Sequence, residues 1–99
     1  MERFLMYGVL FDPGALRELG KLPKAQQKRI ARLIDSLAEN PRPQGAEKMT
    51  EVEAYKLRVG DYRVIYAIRD EVLIVLIVKI GNRRDVYKDI GTIRRRLRK

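Results

Sequence analysis

Two rhythms run along this chain. From Ala15 to Ala38 apolar residues return every three or four positions, the spacing of a helix with one buried stripe. From Tyr55 onward they alternate with polar residues and then close into an unbroken run, the spacing of strands. In the first region Asp12-Pro13 opens a short helix, with Asp12 as its cap and Pro13 at the first helical position. Ala15, Leu16 and Leu19 form its apolar side, and Gly20 closes it. A second helix starts at Leu22-Pro23. Its stripe is Ile30, Leu33, Ile34, Leu37 and Ala38, while Lys24, Lys28, Arg29, Arg32, Asp35 and Glu39 lie off the stripe. Asn40-Pro41 stops it. The short link between the two predicts an antiparallel helical hairpin.

Ahead of the hairpin, Arg3–Phe11 reads as a strand. After it, Pro41–Glu51, with two prolines and Gly45, reads as a loop. Three strands follow at Val52–Val59, Tyr62–Ile68 and Val72–Ile80, separated by turns at Gly60-Asp61 and Arg69–Glu71. The all-apolar Val72–Val78 suits a central strand covered on both faces. Gly81–Asp85 is a charged loop, and Ile90, Ile93 and Leu97 mark a last, short, basic helix. The predicted order is β-α-α-β-β-β-α. This is an α+β fold, with a helical hairpin packed on one face of a small, mainly antiparallel sheet and the other face partly open. No repeat or linker divides the chain, so residues 1–99 are expected to form a single domain.

Alternation assigns the charges to faces. If Gly60-Asp61 is a two-residue turn, Val59 pairs with Tyr62, Arg58 with Arg63, Leu57 with Val64 and Lys56 with Ile65. Leu57, Val59, Tyr62, Val64, Tyr66 and Ile68 then face the helices. Lys56, Arg58, Arg63, Ile65, Ala67 and Arg69 take the other side. Arg58 and Arg63 stand opposite one another, and facing like charges cost a few tenths to ~1 kcal/mol. Neither strand supplies an acid on that face to relieve them, so an anionic partner, a phosphate backbone first, is the expected compensation.

Composition sharpens this. Net charge is +9, and its distribution is uneven. Residues 1–55 hold nine Lys/Arg against eight Asp/Glu; residues 56–99 hold 13 against five. Such asymmetry points to a polyanion. Cysteine and histidine are both absent, which removes disulfides, thiolate chemistry, the usual neutral-pH acid/base and most zinc or iron sites. No metal or cofactor is expected. No apolar run has membrane-spanning length, and the N-terminal MERFLMYGVLF is too weakly apolar for a signal peptide, so a cytoplasmic location is expected.

Four segments, DPGALREL, the Pro41 stop, YKLRVGDYRVIY and IGNRRDVY, occur in an order and spacing that resembles the toxins of RelE-type toxin–antitoxin systems, within the RelE/ParE superfamily. The match covers essentially the whole chain. The resemblance implies a small ribonuclease that enters the ribosomal A site and cuts mRNA there, inhibiting translation, together with a RelB-like antitoxin that wraps and neutralises it. It also carries over site residues: Lys56 as a phosphate-binding lysine, Arg58 at the next outward position where a second lysine is common, Arg63, Arg83 after Gly81, and Tyr87. RNA-binding roles fall on Lys56, Arg58, Arg63, Arg84 and Lys88. Arg58 in place of lysine, Asn82 where relatives often carry a basic residue or histidine, and a short loop to Tyr87 are departures that bear on rate and cleavage preference.

Metal-independent RNA cleavage uses the ribose 2′-OH as nucleophile, with a base, cations around the phosphate and an acid for the leaving 5′ oxygen. Without histidine the base falls to Tyr87, with Lys56 as the alternative. Arg83 is the phosphate clamp and proton donor that the resemblance implies, and Arg58 and Arg63 stabilise charge. Two further functions share the pattern. One is a ParE-like toxin that binds DNA gyrase; the other is a non-catalytic nucleic-acid-binding module or degenerate toxin.

Overall fold

The structure, a computed structural model, describes residues 6–98. It contains β1 Gly8–Phe11, α1 Pro13–Gly20, α2 Lys24–Ser36, β2 Glu47–Lys48, β3 Tyr55–Val59, β4 Tyr62–Arg69, β5 Ile74–Asn82 and α3 Ile90–Leu97, with a 3₁₀ turn at Asp70–Val72. The strands form one sheet in the order β1-β5-β4-β3-β2. β1 runs parallel to β5, and the other neighbours are antiparallel. The α+β architecture expected from the hydrophobic pattern is present. The first three residues of the predicted Arg3–Phe11 strand lie outside the described residues, and β1 is the end of that stretch. No described helix is long and apolar enough to cross a membrane.

The hairpin follows its local chemistry. Asp12 accepts the Gly14 N–H at 2.8 Å and Pro13 opens α1. Ile30, Ile34 and Leu37 are buried against Leu57, Val59, Val64, Tyr66, Ile77 and Ile80. Each such side chain contributes about 1.5–3 kcal/mol when fully removed from water. Leu16 departs from expectation: it is 55% exposed, because the eight-residue α1 turns Ala15 inward instead.

Three further differences have physical causes. β2 is a two-residue strand inside the expected Pro41–Glu51 loop; too short to show a period, it pairs Glu47 with Lys56 and Lys48 with Tyr55 at the sheet's edge. Charged residues there discourage further strand addition. The strand expected from Val52 begins only at Tyr55, because the preceding segment turns back on itself, with the Met49 N–H donating to the Ala54 carbonyl at 2.9 Å. β5 starts at Ile74, since Val72 belongs to the 3₁₀ turn, and runs on through Gly81 and Asn82, which read as loop.

The second face of the sheet is not open at its centre. Ile93 of α3, Val86, Met49 and Ala54 pack there against Ile65 and Val78. A bulge makes this second core. Ile65 pairs with Lys79 and Tyr66 with Ile77, leaving Val78 as the extra residue that joins the second core. The irregularity lies in β5, so the β3–β4 register runs unbroken.

Past Phe11, β1 ends and the edge of β5 would be bare. Glu18 of α1 covers it: its carboxylate accepts the Ile80 N–H at 3.1 Å and the Lys79 ammonium at 3.0 Å. Arg96 of α3 closes the arrangement. Its Nη1 donates to Glu18 at 3.0 Å and to the bulged Val78 carbonyl at 2.8 Å, and its Nε lies 3.3 Å from Asp12. The guanidinium passes so close to α1 that a Cβ on Gly14 would sit 2.2 Å from Arg96 Nη2. Four charges on three elements thus hold α3 to the sheet.

Burial alone would push the Glu18 carboxyl up, but hydrogen bonds from Arg96, the Ile80 N–H and Lys79 outweigh it and hold the group below its ordinary value of 4.5. A depressed folded pKa stabilises the fold above the unfolded value, and that stabilisation is lost as pH falls through the folded one. Glu18→Gln is therefore expected to cost about 2 kcal/mol at pH 7, as hydrogen bonds to a charged group do. The cost should shrink at pH 3, measured by urea unfolding at both values. An equal cost at both would remove the charge from this explanation.

Candidate functional site

The β3–β4 hairpin builds the site. Its observed register pairs Lys56 with Ile65, Leu57 with Val64, Arg58 with Arg63 and Val59 with Tyr62, as alternation across the turn predicts. Gly60 makes the turn possible with φ +58°, and a Cβ there would also lie 2.9 Å from Arg29 Nη1. The turn in turn fixes the loop after β5, because the Asp61 carbonyl accepts the Arg83 N–H at 2.8 Å. Asn82 holds the loop's start, its side-chain oxygen taking the Arg84 N–H at 3.0 Å. Val86 is fully buried. Asp89 caps α3 by accepting from the Thr92 N–H and hydroxyl, and those bonds hold its carboxyl below the usual range.

Tyr87 therefore sits between a buried anchor and a helix cap, and its ring meets Lys56. The Lys56 ammonium lies 5.3 Å from the ring centroid. Together Glu47, Lys56, Arg58, Arg63 and Tyr87 line a shallow recess of about 240 Å³. That is below the roughly 300–1,000 Å³ typical of small-molecule pockets. Its size and positive rim suit one phosphate step of an anionic polymer rather than a free metabolite.

The structure brings Lys56, Arg58, Arg63 and Tyr87 into one wall. Arg83, Arg84 and Lys88 are exposed on the neighbouring turn but do not line the recess, and Lys88 lies 3.4 Å from Asp85. The facing arginines part company. Arg63 turns back to donate to the carbonyls of Tyr62 at 2.9 Å and Gly60 at 3.3 Å. Arg58 borders both the recess and a groove on the helix side, lined also by Lys28, Arg29, Arg32 and Leu33. Part of the repulsion expected from the sequence is thus relieved within the chain. Glu47 is the recess residue that sequence reasoning missed. Nothing in the pattern marked residues 47–48 as a strand, so the carboxylate opposite Lys56 was invisible.

The chemistry available is specific. Three cations can bind and neutralise a phosphodiester, Arg through two donors at once. Tyr87, Lys56 and Glu47 are the groups able to exchange a proton with it. Among the described residues no group of three or more His, Cys, Asp or Glu gathers that could hold a metal ion.

Comparison with known proteins agrees with this fold. The family model described as the ParE toxin of a type II toxin–antitoxin system, parDE, matches residues 9–87. A RelE-like toxin protein of Escherichia coli is 36% identical over 87 residues, covering 84% of this chain and 92% of its own. The mRNA interferase toxin RelE of Escherichia coli is 28% identical over 89 residues, covering 86% and 94%. Among solved structures, the archaeal RelE–RelB complex from Pyrococcus horikoshii matches with a TM-score of 0.70 and 29% identity, over 82% of this chain and 99% of that one.

Arg58→Gln removes one of the two facing cations. Since the side chains already diverge, the expected gain is small, about 0.4 kcal/mol. That raises Tm by roughly 2 °C at low ionic strength and should fade in about 0.5 M salt. Calorimetry at both ionic strengths checks this; a lower Tm for the variant would mean that no net repulsion exists at this pair.

Proposed function

The chain belongs to the RelE/ParE family of toxins of type II toxin–antitoxin systems, and from that premise we propose that it is a metal-independent endoribonuclease that cuts mRNA in the ribosomal A site. The observation that carries the proposal is the recess itself. A chain without histidine or cysteine gathers Lys56, Arg58, Arg63 and Tyr87 on one face, in the size of a single phosphate step. In this reading Lys56, Arg58 and Arg63 bind the scissile phosphate and stabilise the charge that builds on it. Arg83, held beside the recess on the turn pinned to Asp61, serves as a phosphate clamp, and Arg84 and Lys88 contact flanking phosphates. Proton transfer is the task of Tyr87 and Lys56, whose contact keeps an ammonium against the phenol ring. The 2′-OH attacks its own phosphate, giving a 2′,3′-cyclic phosphate end and a free 5′-hydroxyl.

Such groups are weak catalysts by themselves. Much of the rate comes from the ribosome holding mRNA in the reactive geometry, so free RNA is cut slowly. An acidic, RelB-like antitoxin is the natural silencing partner of a +9 chain, and the relative solved with RelB supports that pairing. One second reading has an observation in its favour. The matching family model is described as ParE, which favours a gyrase-binding toxin. A gyrase binder has no need of the recess cluster, and this weighs toward the ribonuclease.

Induced expression followed by mapping of mRNA ends separates the readings. In-frame cuts within translated codons are expected, and Tyr87→Phe or Arg83→Ala should reduce them by at least ~10²-fold with the fold intact by CD. DNA damage with intact mRNA would establish the gyrase reading instead. Neither effect would leave a non-catalytic binding module.

A further inference from the structure

Resting on the ribonuclease reading, we infer that Glu47 is the general base of this site, taking the 2′-OH proton that the motif residues were expected to take. The grounds are positional. Glu47 is opposite Lys56 in the β2–β3 pairing and lines the same recess as Lys56, Arg58, Arg63 and Tyr87. It is the only carboxylate among those lining residues. It is exposed, and among the described residues its carboxylate is in no hydrogen bond or ion pair, although Lys48 beside it pairs with Glu53 at 3.1 Å. An acid surrounded by cations and committed to none of them is available for a proton.

Position also favours it over its neighbours. Lys56 and Tyr87 are engaged with one another, the Lys56 Nζ lying over the Tyr87 ring, whereas Glu47 lines the same recess outside that contact. The step balances as follows. The 2′-OH proton passes to Glu47, the 2′ oxygen forms its bond to phosphorus, and the bond from phosphorus to the 5′ oxygen breaks. The departing oxygen takes a proton from the Lys56–Tyr87 pair, and solvent resets both groups. Tyr87 and Lys56 thereby become the acid side of the reaction. The cations keep their role on the phosphate.

The competing role for Glu47 is electrostatic: one negative charge trimming the repulsion among Lys56, Arg58 and Arg63. The test measures single-turnover cleavage of ribosome-bound mRNA between pH 5 and 9 for the parent, Glu47→Gln and Glu47→Asp. Oligonucleotide affinity is measured alongside. A base predicts that Glu47→Gln loses about 10²-fold or more in rate while RNA affinity holds or rises. It also predicts that the fall in parent rate toward acid pH vanishes in the Gln variant, and that Glu47→Asp recovers part of the rate. A substrate with sulfur in place of the leaving 5′ oxygen, which needs no proton, should rescue Tyr87→Phe and leave Glu47→Gln impaired. If the parent cuts and Glu47→Gln cuts within threefold of it, Glu47 only trims charge and the inference fails. Loss of cutting together with loss of RNA binding in both variants would overturn it too, as a structural defect of β2. A parent that cuts nothing on the ribosome sinks the ribonuclease reading itself.

Discussion

The guanidinium of Arg96 is the contact on which the arrangement of this molecule turns. It joins α3 to α1 and to the bulged Val78 carbonyl, through Glu18, Asp12 and the β5 backbone. Burying four charges is costly unless each finds a partner, and here each does. The consequence reaches the site. α3 begins three residues after Tyr87, and its cap, Asp89, lies between them. Fixing α3 on the second face therefore fixes where the Tyr87 ring meets Lys56. The cations and the tyrosine come from opposite ends of the sheet's connectivity, and the Arg96 network brings them together.

The site itself is a case of charge held in unfavourable company. Lys56, Arg58 and Arg63 occupy one face because β3 and β4 alternate, and the other face is already committed to Ile30, Ile34 and Leu37. A register shift by one residue would expose Leu57 and Val64 and bury the cations, so the core enforces the cationic face. The chain eases the strain by sending Arg63 to the turn carbonyls and Arg58 around the strand's edge. What remains is an electropositive recess lined by Lys56, Arg58, Arg63, Tyr87 and Glu47. An anionic group, whether a phosphate of RNA or a carboxylate of an acidic protein, is the complement that such a surface lacks.

Much of this was legible in the sequence, and the parts that were not share a cause. The hairpin, the helical stripe and the Arg58–Arg63 pairing follow from spacing alone, because each repeats a period over several residues. β2 was hidden, since two residues cannot display a period, and with it went Glu47's place in the recess. The second core was hidden as well. It depends on the bulge at Val78, and a residue that breaks alternation inside an all-apolar run leaves no mark in the pattern. Leu16 was misjudged because a two-turn helix can bury one small side chain and leave the larger one in water. The basic C-terminal segment read as a short helix and is one, but the pairing of its Arg96 with Asp12, Glu18 and the Val78 carbonyl was not legible, because those partners are distant in sequence.

The most direct measurement places RNA on the protein. A Tyr87→Phe chain, titrated with a short single strand whose 2′-hydroxyls are methylated, keeps the phosphates and removes the nucleophile. Backbone amide shifts followed by NMR should then move and saturate together at Glu47, Lys56, Arg58, Arg63 and the 83–88 turn, with an affinity that falls as salt rises. Shifts confined to Arg94, Arg95 and Arg98 on α3, with the recess unmoved, would contradict the assignment of this recess as the RNA site.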